Sequence, residues 1–152
     1  MNQFDDLDYL RRAVDISQRS RNNGNTPFGA LLVDSKGKIL LEQENIEITE
    51  SNCTGHAETT LMEKASKLYS KDFLWQCSLY TTAEPCAMCA GAIYWGNVGR
   101  VVYGVSEKRL LSLTMNKIPP LTCPAARYLP EGKTDCSGRA FSRTRSGHCS
   151  CP

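Results

Sequence analysis

Residues 84–95 read EPCAMCAGAIYW and directly follow the mostly apolar run Leu79-Tyr80-Thr81-Thr82. The run is typical of a buried strand, and Pro85 favours the first turn of a helix, so the sequence predicts a strand that passes into a helix over Cys86 to Trp95. Cys86 and Cys89 are three positions apart, which places both thiols on one face of that helix. Because the N-terminal end of a helix stabilises thiolates, the two can serve as ligands of one metal ion.

A second segment, His56-Ala57-Glu58, ends 27 positions before Pro85. It begins a predicted helix from His56 to about Tyr69, for which Thr54 is the expected N-cap. A ring nitrogen of His56 can supply a third ligand, and a set of one His and two Cys leaves a fourth tetrahedral position for water, as in catalytic zinc sites. This mixed nitrogen and sulfur set favours zinc over magnesium or calcium. We therefore expect one zinc ion per chain.

Glu58 follows the histidine by two positions, where its carboxylate can face the water at the open ligand position. Zinc lowers the pKa of such water, and a nearby carboxylate can take its proton and return it to a ring nitrogen or to a leaving amine. His-x-Glu followed by Pro-Cys-x-x-Cys is typical of zinc-dependent nucleobase deaminases. A closed structural zinc site is the alternative, with Cys53 or Cys77 as fourth ligand. Neither has ligand-type spacing, and we expect both to be small core residues.

The rest of the chain shows strands that alternate with helices, which indicates a layered α/β fold. Leu7, Leu10 and Val14 recur at helical spacing and predict the buried face of a first helix. The further predicted elements are a helix over Asp6–Arg21, strands over Phe28–Asp34, Ile39–Gln43 and Arg100–Gly104, and a helix over Glu107–Leu113. The turn at residues 35–38 predicts that the first two strands form a hairpin.

The length indicates one domain, but the charge distribution divides the chain into two regions. A length of 152 residues indicates one domain, and 41% hydrophobic with 22% charged residues is ordinary for a folded protein. Residues 1–119 carry 13 basic and 14 acidic side chains, whereas residues 120–152 carry 5 and 2, together with four of the eight cysteines. We expect a deaminase-type domain over 1–119 and an irregular basic tail over 120–152. In that tail, residues 148–151 (HCSC) either bind a second metal or form a disordered end with incidental ligands.

The sequence also bears on location. No apolar run approaches the roughly 20 residues of a membrane span. The acidic N-terminus, Met1 to Asp6, lacks the basic-then-apolar order of a signal peptide. We therefore expect a cytoplasmic protein without membrane partners, in which clustered cysteines indicate metal binding or catalysis rather than disulfides.

From about Leu7 to Leu113 the chain resembles the cytidine and deoxycytidylate deaminase superfamily, and most of all its branch of guanine deaminases and tRNA adenosine deaminases. The resemblance is carried by PFGALLV at 27–33, TGHAE at 54–58, EPCAMC at 84–89 and AGAIYW at 90–95. It implies a three-layer α/β/α fold with a mixed five-stranded sheet. It also implies hydrolytic deamination of an amidine-like carbon in a nucleobase, and a homo-oligomer, here expected to be a homodimer.

The resemblance also implies site residues. His56, Cys86 and Cys89 match the zinc ligands, and Glu58 matches the proton shuttle. The expected substrate contacts are Asn45, Phe28, Ala57 and Trp95. Three of these have ordinary structural alternatives, which are a turn residue for Asn45, core packing for Phe28, and the core or an interface for Trp95.

Three functions fit this sequence. The first is zinc-dependent deamination of a free purine base or nucleoside, most of all a guanine-like one, because PFG at 27–29 and IYW at 93–95 look more like that branch. The second is a tRNA wobble adenosine deaminase, for which the net charge of −1 over residues 1–119 provides little basic surface. The third is a zinc-stabilised scaffold that has lost turnover. No tail residue is assigned a role, because residues 120–152 lack the apolar helical repeat expected of that branch's C-terminal segment.

Overall fold

The computed structural model describes residues 5–113 and the pair 141–142. The helices are α1 (Asp6–Asn22), α2 (Ala57–Leu68), α3 (Lys71–Leu74), α4 (Ala87–Gly96) and α5 (Glu107–Leu113), and the strands are β1 (Gly29–Val33), β2 (Ile39–Glu44), β3 (Ser78–Ala83), β4 (Arg100–Val105) and β5 (Phe141–Ser142). Except for β5, the tail predicted over 120–152, with its candidate metal ligands at 148–151, lies outside the described residues. The division into two regions therefore stays a prediction.

The strands form one mixed sheet in the order β2-β1-β3-β4-β5. β1 pairs antiparallel with β2 and with β3, and β3 pairs parallel with β4, to which it is joined through α4. The predicted hairpin of β1 and β2 is confirmed. Its turn is held by the Asp34 carboxylate, whose Oδ1 accepts hydrogen bonds from the backbone N–H groups of Lys36 and Lys38, both at 2.9 Å.

A mixed sheet of five strands was expected, and the structure corrects this to four strands and a short fifth pairing. β1 to β4 have five or six residues each, whereas β5 is a two-residue stretch paired antiparallel with the start of β4. The tail from which β5 comes is rich in Gly, Ser and Pro. Gly and Pro are depleted in strands because they add no packing surface or remove a backbone donor. The mixed α/β sheet itself is confirmed.

Helices cover both faces of the sheet. Successive residues of a strand point to opposite faces, and in β1 the side chains of Leu31 and Val33 join a buried cluster with Ile16 of α1. Ala30 and Leu32 join a second cluster, which contains Leu61 of α2 and Ile93 of α4. The layers are therefore α1, the sheet, and the pair α2 and α4. In the described part of the chain, no helix is long and apolar enough to span a membrane.

The buried face of α1 differs from the predicted one. Leu7 and Val14 are 56% and 46% exposed, whereas the buried residues of α1 are Ala13, Ile16, Ser17 and Ser20. The third predicted residue, Leu10, does pack against the buried cluster. For Leu7 and Val14 the prediction was wrong, because hydrogen bonds bring small polar residues of α1 to the buried face. Ser20 Oγ donates to the backbone carbonyls of Thr26 and Asn45, at 2.7 and 3.1 Å.

Glycine at position 29 allows α1 to lie this close to the sheet. A Cβ added to Gly29 would lie 2.6 Å from the carbonyl oxygen of Ala13 and 2.8 Å from Cβ of Ile16. Both distances are too short for atoms that do not bond. Any larger residue at position 29 would therefore push α1 away from β1.

Three smaller expectations also differ from the structure. The N-cap of α2 is His56 rather than Thr54, whose hydroxyl bonds to Asn52 Oδ1 at 2.8 Å. The short helix α3 was not predicted, and Ser70 caps it by accepting from the N–H of Phe73. Cys77 is buried as expected, but Cys53 is exposed. Cys53 lies in the turn segment over 47–54, and because it is exposed, its assignment to the core was wrong.

Candidate active site and metal centre

Two helix N-termini meet at the carboxyl end of β3. His56 is the N-cap residue of α2 and Cys86 the N-cap residue of α4, and neither side chain makes a capping hydrogen bond. The imidazole and the thiol are therefore available to face each other. Cys89 follows one turn into α4 and is buried, so the packing of α2 on α4 brings together the three residues predicted as ligands.

The three donor atoms have the spacing of a zinc site. Nδ1 of His56 lies 3.6 Å from Sγ of Cys86 and 3.6 Å from Sγ of Cys89, and all three atoms lie within 4.8 Å of one another. In a tetrahedral site with Zn–N near 2.05 Å and Zn–S near 2.3 Å, nitrogen and sulfur ligands are about 3.6 Å apart. The residues therefore fit the metal, and the group could bind one zinc ion.

A closed four-ligand site is not formed by the described residues. Within 5–113 no other His, Cys, Asp or Glu belongs to this group. Cys53 and Cys77, the predicted candidates for a fourth ligand, are both outside it. The described donor set therefore leaves a tetrahedral position for a ligand that is not a protein side chain, as catalytic zinc sites do.

The two thiols differ sharply in acidity when no metal is bound. A hydrogen bond from Cys89 lowers the pKa of Cys86 to about 4, against the opposing effect of burial and with the help of His56. The pKa of Cys89 is raised, because its thiol donates to Cys86 and because it is buried beside the Glu58 carboxylate. The lowered pKa of Cys86 favours its thiolate, which is the form that binds a metal.

Glu58 is a buried carboxyl group beside these donors. Its side chain is in the first turn of α2, and the residue is 5% exposed. Oε1 accepts a hydrogen bond from the hydroxyl of Thr81 at 2.6 Å, and Oε2 accepts one from the thiol of Cys89 at 3.5 Å. Burial raises the pKa of Glu58, although these two hydrogen bonds act in the opposite direction. A carboxyl group with a raised pKa can both accept and release a proton near neutral pH.

A cavity of about 120 Å³ opens onto this group. Its lining residues come from five segments of the chain and are Phe28, Asn45, His56, Glu58, Ala83, Glu84, Cys86, Cys89, Glu107 and Leu110. It lies beyond the carboxyl end of β3, the usual position of ligands in α/β sheets. The structure therefore brings two of the expected substrate contacts, Phe28 and Asn45, to the same cavity as the candidate metal ligands.

Asn45 is held rigidly in the cavity wall. It is 1% exposed, its Oδ1 accepts a hydrogen bond from the N–H of Glu47 at 2.8 Å, and its backbone carbonyl accepts one from Ser20. Its Nδ2 has no hydrogen-bond partner among the described residues. The amide can therefore donate to a molecule in the cavity.

Two of the expected substrate contacts, Ala57 and Trp95, do not belong to the cavity lining, and their contact with substrate stays a prediction. Ala57 is fully buried in the core between α2 and the sheet. Trp95 is 73% exposed and packs edge-on against Tyr94, with ring centroids 5.5 Å apart. It is nine positions after Cys86, which is roughly 13 Å along the helix axis. The helix therefore carries its indole away from the metal ligands of its own chain.

Several residues of the site were not predicted. Thr81 holds Glu58, and Glu84 Oε2 accepts a hydrogen bond from the N–H of Glu107 at 2.9 Å, which joins the start of α5 to the loop before α4. Glu84 directly precedes the Pro-Cys-x-x-Cys motif, and Thr81 lies in the predicted strand, so both were adjacent to recognised motifs. Glu107 and Leu110 had no such signal, because only the folding of α5 over the cavity brings them there.

Fold and site together define a class of protein: a mixed α/β sheet with a His/Cys/Cys group at two helix N-termini, beside a buried glutamate. The family model for the cytidine and deoxycytidylate deaminase zinc-binding region matches residues 4–105. The chain belongs to this family.

Named relatives show which activities occur among similar proteins. The probable cytosine deaminase of Schizosaccharomyces pombe is 39% identical over 118 residues, which are 76% of this chain and 71% of that protein. The guanine deaminase of Bacillus subtilis is 43% identical over 65% of this chain and 64% of its own length. The tRNA-specific adenosine deaminase of Haemophilus influenzae is 36% identical over 70% of this chain and 61% of its own length.

A solved structure of a guanine deaminase from Bacillus subtilis superimposes on this fold. The TM-score is 0.64, with 38% identity, over 74% of this chain and 70% of the other. The chain thus spans between 61% and 71% of the length of these proteins. The names of these relatives give three different substrates.

Proposed function

We propose that this protein is a zinc-dependent hydrolase that deaminates a free purine base or nucleoside, most of all a guanine-like one, and releases ammonia. The observation that carries the proposal is the position of Glu58. This buried carboxyl group lies beside three metal-ligand atoms at a small cavity and forms no ion pair with the described residues. Such a group is typical of a proton-transfer site.

The mechanism assigns a task to each residue. His56, Cys86 and Cys89 would hold zinc, which when bound activates water as a nucleophile. Glu58 takes a proton from the attacking water, passes it to a ring nitrogen of the base, and assists protonation of the leaving amine. Because Thr81 holds one carboxylate oxygen, the other stays directed towards the donor group.

The residues that line the cavity orient the substrate. Nδ2 of Asn45 donates to an acceptor on the base, and the ring of Phe28 contacts its flat surface. A cavity of about 120 Å³ leaves little room for extra water once a base is inside. Exclusion of water strengthens the hydrogen bonds and the charge interactions within the site.

The charge of the cavity supports a neutral substrate. Glu58, Glu84 and Glu107 line it, and none of the described lining residues is Lys or Arg. Phosphate contacts dominate nucleic-acid affinity and require basic side chains, so these walls favour a base or nucleoside over RNA. A tRNA adenosine deaminase stays the second candidate, because one of the relatives carries that name.

Two further points belong to the proposal. A zinc-stabilised scaffold without turnover is disfavoured by the buried Glu58 and by the three-ligand donor set. A homodimer would cover Trp95, and this large exposed aromatic side chain on α4 supports that assembly.

A substrate panel tests the proposal. Zinc-replete protein is incubated with guanine, adenine, cytosine and the corresponding nucleosides, and ammonia release is measured. We expect the highest kcat/KM with guanine or guanosine. Inosine formation in tRNA with salt-sensitive tRNA binding would establish the second candidate instead, preferred turnover of cytosine would overturn the purine assignment, and zinc binding without any turnover would support the scaffold.

A further inference from the structure

The geometry points to Glu47 as a positioning residue for the candidate zinc ligand His56. Oε2 of Glu47 lies 3.3 Å from Nε2 of His56, on the side of the ring opposite the cysteines. The inference rests on the proposed zinc site and assigns a role to a residue that neither metal binding nor substrate contact explains.

The two ring nitrogens of His56 face different partners. Nδ1 faces the two sulfur atoms at 3.6 Å, so this nitrogen is the one that would bind the metal. A neutral imidazole that binds a metal through one nitrogen carries its proton on the other. That proton is on Nε2, where the Glu47 carboxylate can accept it in a hydrogen bond. Such an outer carboxylate fixes the tautomer and orientation of the ring and increases its basicity.

Glu47 is itself held in place on two sides. Its second carboxylate oxygen, Oε1, accepts a hydrogen bond from the hydroxyl of Thr26 at 2.8 Å. Its backbone N–H donates to Oδ1 of Asn45 at 2.8 Å. The side chain is 27% exposed, so the Thr26 contact is what keeps the carboxylate directed at His56 rather than at solvent.

The same loop provides a matched control. Glu50 is three positions further along and exposed, and it faces neither His56 nor the cavity. Neutralising Glu50 removes the same charge from the same loop without removing the contact to the ring. Glu47→Ala removes the acceptor, Glu47→Gln keeps an oxygen that can still accept a hydrogen bond, and Glu50→Gln reproduces only the loss of charge.

The experiment measures zinc affinity by competition with a chromogenic chelator, and the absorption spectrum of the cobalt-substituted protein. We expect Glu47→Ala to weaken zinc binding by roughly 10- to 100-fold and to alter the cobalt spectrum. Glu47→Gln should recover most of that loss, and Glu50→Gln should match the wild type. Circular dichroism of the metal-free proteins establishes that each variant is folded.

Other outcomes would overturn the inference. Zinc affinity in Glu47→Ala within twofold of wild type would show that the carboxylate does not support His56. An equal loss in Glu47→Ala and Glu50→Gln would show a general charge effect of the loop. If the wild-type protein itself binds no zinc, the proposed function fails as well, which separates the two failures.

Discussion

Two polar clusters lie towards opposite ends of the parallel strands, and they differ in how their charges are satisfied. Near the start of β3 and β4, the guanidinium of Arg100 pairs with both oxygens of the Asp6 carboxylate at 2.9 and 2.6 Å, and the hydroxyl of Tyr80 donates to Asp6 at 2.7 Å. At the carboxyl end, the Glu58 carboxylate accepts hydrogen bonds from a hydroxyl and a thiol and has no cationic partner within residues 5–113. The first cluster neutralises its charges, whereas the second combines a buried carboxyl group with the candidate metal ligands.

The larger cavity belongs to the neutralised cluster. It measures about 650 Å³ and is lined by Asp6, Tyr80 and Arg100 among others, whereas the cavity at Glu58 measures about 120 Å³. The volume of a cavity therefore does not indicate which of the two clusters is the candidate active site. The better indicator is a titratable group that is buried without a counter-charge, because proteins keep such a group at a cost in stability.

The largest expected effect in this comparison comes from Glu58→Gln. Because the amide cannot accept and release the proton, kcat should fall by roughly 10²- to 10⁴-fold while zinc content is unchanged. Steady-state ammonia release and metal analysis measure the two quantities. Glu63→Gln, on the same helix but exposed and paired with Lys67, is the matched control and should keep full activity. Unchanged turnover in Glu58→Gln would show that the cluster at the carboxyl end of β3 is not the active site.

The next effect distinguishes two buried thiols, one that is a candidate metal ligand and one that is not. Cys89→Ala removes a candidate ligand and should abolish stoichiometric zinc binding, whereas Cys77→Ala should retain it. Burial raises the pKa of Cys77 to about 11, so this side chain stays a neutral thiol and a packing residue. Metal analysis after dialysis checks both variants. Full zinc content in Cys89→Ala would contradict the assignment of the donor group.

The smallest effect concerns stability and its pH dependence. Burial opposes ionisation of Asp6, but hydrogen bonds from Arg100 and Tyr80 outweigh it and lower the pKa below 3.8. Its stabilisation is therefore complete above pH 3.8 and is lost as the pH falls through the lowered pKa. Asp6→Asn should cost about 1–2 kcal/mol at pH 7.

Urea denaturation at several pH values measures this contribution. The difference in unfolding free energy between wild type and Asp6→Asn should shrink below about pH 3.8, while activity at neutral pH stays unchanged. A constant difference from pH 7 to pH 2 would show that the carboxylate does not act through its charge. A loss of activity would show that the two ends of the sheet are coupled.

Local sequence patterns predicted the elements and the metal-ligand residues. The strand before EPCAMC, the helix after it and the β1–β2 hairpin are specified by neighbours in the chain, such as Pro85 and the turn at 35–38. The ligand group was predictable for the same reason, because Cys86 and Cys89 share one helical turn. His56 and Glu58 are likewise two positions apart at the start of α2.

Contacts between distant segments were not predictable. Leu7 and Val14 fit an apolar repeat but are exposed, because the surface that α1 buries was set by Gly29 and by the inward hydrogen bonds of Ser20. Trp95 belongs to a recognised motif, yet it lies away from the cavity of its own chain.

The sequence by itself determined which atoms could hold a metal, since that property depends on residue type and on spacing within one turn or one loop. Only the tertiary structure decided what surrounds them. Thr81 on β3, Glu47 in the loop after β2 and Glu107 on α5 are each nine or more positions from the group they face within the site. Their contacts with Glu58, His56 and the cavity arise because the sheet and its helices bring separate chain segments to one end of β3.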